Sequence, residues 1–149
     1  MRVVFLIPLI LMGCSVVGSG SKEPVVSSKG SVCGDPSIKG VVVGSVPGNG
    51  ACGIDTAVRV TSVGGITLSQ SSLMNCRTAR TLKGWVDTGL TSAVGKTGGG
   101  VSGLKVAAHY ACRTRNHRPG ARLSEHAKGN AIDIAAIQLR DGDDITVLN

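Results

Sequence analysis

The fold is organised around residues 124–133, which read Ser124-Glu125-His126-Ala127-Lys128-Gly129-Asn130-Ala131-Ile132-Asp133. This stretch places an imidazole and a carboxylate seven residues apart. The Gly129-Asn130 pair disfavours a long helix, whereas residues 131–137 have the small and β-branched side chains of a buried strand. We therefore predict a loop, a tight bend at Gly129 and a strand, which together bring His126 and Asp133 to one point.

Two zinc ligands could come from this stretch. Neutral imidazole nitrogen and carboxylate oxygen bind zinc at about 2 Å, and catalytic sites usually take three protein ligands plus a water. His126 and Asp133 would supply two of the three. The competing interpretation is a hydrogen-bonded His–Asp pair without a metal, and the spacing alone does not separate the two.

The residues of this stretch follow the pattern Ser-x-His-x-x-Gly-x-Ala-x-Asp. It resembles the segment around the first two zinc ligands of the D-alanyl-D-alanine carboxypeptidase and hedgehog-like superfamily. Residues 110–116 and 123–134 further resemble the bacterial extensin-like protein C-terminal domain, a branch of that superfamily. The resemblance extends from Cys33 to the last residue, and the matching positions of the pattern are Ser124, His126, Gly129, Ala131 and Asp133.

The resemblance implies a fold and a chemistry. The fold would be α+β, a hedgehog-like or peptidase-like small antiparallel sheet with one main helix. The implied reaction is zinc-dependent hydrolysis of an amide in the peptide part of peptidoglycan. Zinc would be held by His126 and Asp133, and Ser124 would orient the loop or the histidine by hydrogen bonding. The arginine that stabilises the transition state would be Arg113, with Arg115 as its substitute.

The sequence departs from this pattern after Asp133. Family members carry a third ligand and a base in a downstream histidine motif, but no histidine follows His126 here. The favoured explanation is a truncated, incomplete domain. The alternatives are that His109 or His117 replaces the third ligand, or that the domain is a non-catalytic binder. Glu125 is a candidate base, although its position next to His126 would aim it elsewhere.

The amino terminus indicates export. Met1-Arg2 is followed by an apolar run too short to span a membrane core of about 30 Å, and Leu11-Met12-Gly13-Cys14 resembles a bacterial lipobox. We predict a signal peptide over 1–13, lipidation of Cys14, a flexible tether over 14–31 and the domain over 32–149. The protein would then be a periplasmic-facing outer-membrane lipoprotein of the bacterial cell envelope. An ordinary secretory leader is the alternative.

Four further cysteines predict two disulfides in an exported chain. Three connectivities are possible, and the sequence leaves all three open. A zinc site made of four thiolates is disfavoured because the chain has no Cys-x-x-Cys spacing. The four residues are Cys33, Cys52, Cys76 and Cys112.

The charge of the chain favours anionic partners. Sixteen basic and nine acidic residues give a net charge of +7, with a positive segment at Arg113, Arg115, His117, Arg118 and Arg122. A second hypothesis is therefore a binding module in which these arginines hold an anionic cell-wall polymer. Nucleic-acid binding is not expected, because only three aromatic side chains are available for base stacking. The oligomeric state stays open.

The rest of the chain predicts a short series of elements. Strands are expected at 41–46, 57–63 and 104–110, with turns at Pro47-Gly48-Asn49-Gly50 and Gly64-Gly65. Ser69 is the predicted N-cap of the main helix, which Trp85 would cover at one edge. The buried face of that helix would comprise Leu73, Cys76, Ala79, Leu82 and Val86. Residues 95–103 predict a mobile connection and not a phosphate-binding loop, since Leu90 stands where that loop needs glycine.

Overall fold

A computed structural model describes residues 30–147 and has an α+β architecture. One sheet of seven strands carries a helical segment between its fourth and fifth strands. The strands are β1 (Ser31–Val32), β2 (Asp35–Pro47), β3 (Gly53–Val63), β4 (Ile66–Asn75), β5 (Val101–Ala108), β6 (Asp133–Leu139) and β7 (Asp144–Thr146). The main helix is α1 (Cys76–Trp85), continued by a π-helical turn (Val86–Leu90) and by the short helix α2 (Thr91–Val94).

The strands lie in the order in which they occur along the chain. Every neighbouring pair is antiparallel except β4 and β5, which are parallel. The sheet is therefore mixed, whereas the sequence predicted an antiparallel one. The parallel pair follows from the helical segment, because a crossover connection returns the chain to the same end of the sheet.

The start of the main helix was wrongly predicted at Ser69. That residue lies in β4, where its Oγ accepts a hydrogen bond of 2.9 Å from the backbone N of Val106 on the parallel neighbour. Leu73 also belongs to β4, so the helix begins only at Cys76. Its N-cap is Asn75, whose Oδ1 accepts from the backbone N of Thr78 at 2.9 Å. From Cys76 onward the predicted helical face is confirmed.

The core lies between the sheet and the helical segment. Valine, leucine and isoleucine dominate it, in keeping with the scarcity of aromatic residues in the chain. Ala79, Leu82 and Val86 are buried against β-strand residues, while Trp85 remains 42% exposed.

Residues 95–103, which were predicted to form a mobile connection, are partly structured. They contain a 3-10 turn (Thr97–Gly99), and from Val101 onward they belong to β5. Backbone pairing with β6 explains the difference at Val101, which lies opposite Leu139.

The two predicted disulfides are confirmed, and the structure selects one of the three connectivities. Cys33 pairs with Cys76 and joins the start of the sheet to the start of α1. Cys52 pairs with Cys112 and joins the β2–β3 turn to the segment that precedes the His126 stretch.

The predicted signal peptide and Cys14 lie outside residues 30–147. The last residue of the predicted tether, Ser31, is buried in β1, where it lies opposite Lys39. Within the described part of the chain, no helix is long and apolar enough to cross a membrane.

Candidate functional site

The structure brings His126 and Asp133 together. His126 Nε2 lies 3.2 Å from Asp133 Oδ2. The imidazole is buried, with a side-chain exposure of 9%, whereas the carboxylate is 52% exposed. The imidazole is therefore enclosed by the protein, whereas the carboxylate is open to solvent.

A left-handed bend makes this approach possible. His126 lies in a 3-10 turn (Glu125–Lys128) that ends at Gly129, which has φ +66°. A Cβ at Gly129 would stand 2.4 Å from Ile54 Cδ1, so the position requires glycine for space as well as for conformation. The Gly129 carbonyl also accepts hydrogen bonds from Asn75 N at 3.1 Å and Thr78 Oγ1 at 2.8 Å. These contacts anchor the bend to the start of α1.

The backbone carbonyl of His109 orients the imidazole. It lies 2.7 Å from His126 Nδ1, and because a carbonyl can only accept, Nδ1 carries the proton. Nε2 is then the ring nitrogen that faces Asp133. A histidine that ligates a metal typically donates its other ring N–H to a carbonyl or a carboxylate in this way.

The side chain of His109 is the neighbour of this pair. Its Nδ1 is buried and has no hydrogen-bond partner among residues 30–147. Burial lowers the pKa of His109, and the positive charges of Arg59 and His126 lower it further. His109 was expected to be an ordinary strand residue, and it follows the end of β5 by one position.

Ser124 is buried directly before the 3-10 turn. Its hydroxyl makes no capping hydrogen bond to that turn. Its backbone carries the contacts instead, with the N–H donating to the Arg113 carbonyl at 3.0 Å and the carbonyl accepting from Ala127 N at 3.1 Å. The predicted orienting role of the hydroxyl stays a prediction.

The two candidate arginines lie on a hairpin-like segment next to the His126 turn. Arg115 N donates to the Arg122 carbonyl at 2.9 Å, and Thr114 pairs with Leu123 in an isolated antiparallel bridge. The Arg115 guanidinium reaches Glu125, with Nη2 3.9 Å from Oε1. No ion pair joins Asp133 to Arg113 or Arg115 within the described residues.

The Glu125 carboxylate is held by a neighbouring amide. Its Oε2 accepts a hydrogen bond of 2.8 Å from Asn130 Nδ2. This hydrogen bond lowers the pKa of Glu125, and the nearby charges of Lys128, Arg115 and Arg122 lower it further. The carboxylate is thus held in its ionised form at the rim of the site.

A groove of about 900 Å³ opens on the Asp133 side of the pair. Helix α1 forms one wall and β6 the other. Most of its lining is apolar, and the residues with charged or aromatic side chains are Arg77, Trp85, Glu125 and Asp133. Asn130 also lines it and accepts from Asn75 Nδ2 at 2.6 Å.

A family model described as "Extensin-like protein C-terminus" matches residues 40–149. The chain belongs to the extensin-like protein C-terminus family. The match includes the His126 turn, the hairpin-like arginine segment and both walls of the groove. No curated protein and no solved structure matches the chain.

Three further parts of this extensin-like site were not identified from the sequence. The His109 carbonyl gives no sequence signal, because every residue has one. Asn75 and Asn130 meet across 55 positions, a distance that no local pattern bridges. Trp85 was expected to cover the helix edge, and it lines the groove with its indole partly exposed.

The described residues give the pair no third metal ligand. No group of three or more histidine, cysteine, aspartate or glutamate side chains in residues 30–147 is arranged to hold a metal ion. His117 lies on the exposed arginine segment.

Proposed function

We propose that this extensin-like domain is a zinc-binding protein of the bacterial envelope, related to the zinc-dependent peptidases that hydrolyse amides in peptidoglycan. One observation carries the proposal. His126 Nε2 and Asp133 Oδ2 lie 3.2 Å apart, and the His109 carbonyl holds the other ring nitrogen at 2.7 Å. An imidazole held through its other ring nitrogen beside an accessible carboxylate presents two of the donor types that zinc binds.

The pair supplies two of the three protein ligands that a catalytic zinc ion usually takes. His126 and Asp133 would hold it, and the Gly129 bend would keep them in register with each other. Zinc bound there supplies Lewis acidity toward a carbonyl oxygen and a lowered pKa for a water. We propose that a further protein group or water completes the coordination shell of the zinc ion.

The residues around the pair would position the substrate. Arg113 and Arg115 belong to the segment whose backbone is hydrogen-bonded to Ser124, and the Arg115 guanidinium lies 3.9 Å from Glu125 at the His126 turn. A guanidinium binds a peptide carboxylate or a developing oxyanion through two hydrogen bonds. Glu125, kept ionised by Asn130, could accept a proton if its side chain turned toward the substrate.

Zinc titration against a chromophoric chelator tests the metal proposal. We expect the wild type to bind one zinc ion, and His126→Ala or Asp133→Ala to lose binding. His117→Ala is the matched control, because it also removes one imidazole but lies on the exposed segment. Unchanged zinc affinity in both site variants would refute the proposal.

A second candidate is a non-catalytic module that binds anionic envelope polymer. The observation that favours it is the exposed positive surface of Arg115, Arg118 and Arg122. Cosedimentation with purified peptidoglycan separates the two functions. Binding that survives a chelator but disappears in Arg113→Ala/Arg115→Ala favours the module, whereas zinc-dependent release of new amino groups from peptidoglycan favours the peptidase.

Export and lipid anchoring complete the proposal. Their support is the sequence of residues 1–14, with its positive start, apolar run and terminal cysteine. Labelling of growing cells with a fatty acid tests this directly. Label is expected on the wild-type protein and should be absent from Cys14→Ser; equal labelling of both would contradict the assignment of Cys14.

A further inference from the structure

We propose that the Cys52–Cys112 disulfide positions the His126 imidazole, because it fixes the short segment that holds the ring. This segment comprises residues 109–113, between the end of β5 and the arginine hairpin. As a device for orienting a metal ligand, the disulfide acts on the function proposed above, and the inference rests on that function. It adds that opening this one disulfide lowers the affinity of the site for zinc.

The segment binds the His126 turn through alternate residues. The His109 carbonyl accepts from His126 Nδ1 at 2.7 Å, and the backbone N of Ala111 donates to the His126 carbonyl at 3.3 Å. The Arg113 carbonyl accepts from the backbone N of Ser124 at 3.0 Å. The imidazole, the backbone of the same residue and the residue that precedes the turn are therefore all held by one short stretch of chain.

The two intervening residues attach the segment to the sheet. Tyr110 N donates to the Leu73 carbonyl on β4 at 3.3 Å, and the Tyr110 side chain packs against the small core cluster that contains Leu73. Cys112 is bonded to Cys52 in the β2–β3 turn. Such alternation is typical of an extended chain, whose successive residues face opposite sides. The disulfide is thus one of two anchors of the segment, and it is the covalent one.

The turn that carries Cys52 is packed closely against both anchors. A Cβ on Gly48 would stand 2.6 Å from Cys52 Cβ and 2.9 Å from Tyr110 Oη, so the turn approaches this closely because the residue is glycine. The hydrogen bonds donated by Tyr110 and Ala111 are both 3.3 Å long, beyond the usual range for N–H···O contacts. Without the covalent bond, these weak contacts would hold the segment less firmly.

The disulfide is accessible to a reductant. Cys112 is exposed, whereas Cys33 of the other disulfide is only 2% exposed. A small dithiol supplies two electrons and two protons to the Cys52–Cys112 bond and is itself oxidised to a cyclic disulfide. The products on the protein are two cysteine thiols. The buried disulfide stays closed, so the effect on the site can be measured in a folded protein.

The Nδ1 proton of His126 reports on the clamp without any metal. In protein labelled with nitrogen-15 histidine, we expect its ring N–H signal to exchange slowly with water, because the ring is buried and the His109 carbonyl holds the proton. In Cys52→Ser/Cys112→Ser, exchange of this proton should be about tenfold faster, the change expected when one hydrogen bond is weakened.

The same variant should bind zinc about 10–100-fold more weakly, the loss typical of disturbing the partner that orients a ligand histidine. Serine is used so that no free thiolate can bind the metal. Val94→Ala is the matched control, because it removes buried apolar volume on α2, outside the segment. This control should be less stable than the wild type but keep both the slow proton exchange and the wild-type zinc affinity.

Reduction of the wild type gives a second route that does not depend on folding of the double variant. A dithiol opens the bond, iodoacetamide blocks the two thiols, and mass mapping confirms that Cys33–Cys76 is intact. The blocked protein should show the same fast exchange and weak zinc binding as the serine variant. Reoxidation of an unblocked sample should restore the wild-type values.

The proton and zinc measurements separate this inference from the proposed function. Loss of slow exchange in the open forms supports the clamp even if the wild type binds no zinc, a result that would refute the metal site alone. Equal exchange in the open and closed forms, an equal effect of Val94→Ala, or a wild type without a protected ring proton would overturn the clamp. Equal zinc affinity of the open and closed forms, in a protein that binds zinc, would also overturn it and leave the metal site standing.

Discussion

Replacement of Gly129 by alanine is the sharpest test of how the fold builds the site. The residue has φ +66°, a conformation that costs an L-residue about 1–2 kcal/mol. The new Cβ would lie 2.4 Å from Ile54 Cδ1 and 2.9 Å from Ile54 Cγ1. Ile54 is only 4% exposed and cannot move away freely, so overpacking adds about 1–3 kcal/mol. We expect Gly129→Ala to lower the free energy of unfolding by about 2–5 kcal/mol.

Gly120→Ala provides the control that separates the two causes. Gly120 has φ +73° and nothing within 4 Å of a built Cβ, so its substitution carries the conformational strain without the clash. Urea unfolding, followed by Trp85 fluorescence with both disulfides intact, gives the two free energies. The clash should appear as an excess of about 1–3 kcal/mol in Gly129→Ala. Equal destabilisation of the two variants would refute the close packing at the bend.

Two further predictions concern the connections around the site. A dithiol reductant should open the Cys52–Cys112 bond before the Cys33–Cys76 bond. The reason is that Cys112 is exposed, whereas Cys33 is only 2% exposed. Mass mapping of alkylated thiols over time shows the order of reduction, and the reverse order would contradict this difference in burial. Asn75→Ala should cost about 1–2 kcal/mol in urea unfolding, since it removes the helix cap, and a loss below about 0.3 kcal/mol would contradict that role.

The meeting of His126 and Asp133 was predictable from the sequence, because it depends on a local bend. Glycine is the residue type that adopts a positive φ without strain, as Gly129 does. The small and β-branched residues that follow it are typical of a strand. The burial of the helix face from Cys76 onward follows the three- and four-residue spacing of its apolar side chains. Each of these features is encoded within about ten residues.

The features that were missed depend on distant parts of the chain. Ser69 has the side chain of a good helix cap, but its hydroxyl binds the backbone of Val106, 37 residues away. The pairing of Cys52 with Cys112 spans 60 positions, and an even cysteine count does not reveal it. The hydrogen bond from His126 to the His109 carbonyl spans 17 positions and involves a group that every residue possesses. Tertiary contacts of this kind form only when distant strands come together in the sheet, so no local sequence pattern indicates them.

X-ray absorption at the zinc edge tests the central claim most directly, because it reports the identity of the atoms bound to the metal. After gel filtration with zinc, the wild-type protein should retain one equivalent, with a shell of nitrogen and oxygen atoms at about 2.0–2.1 Å and the outer scattering of an imidazole ring. His126→Ala should lose that imidazole signal. A sulfur shell at about 2.3 Å, or protein free of zinc after filtration, would contradict the assignment of His126 and Asp133 as a metal site.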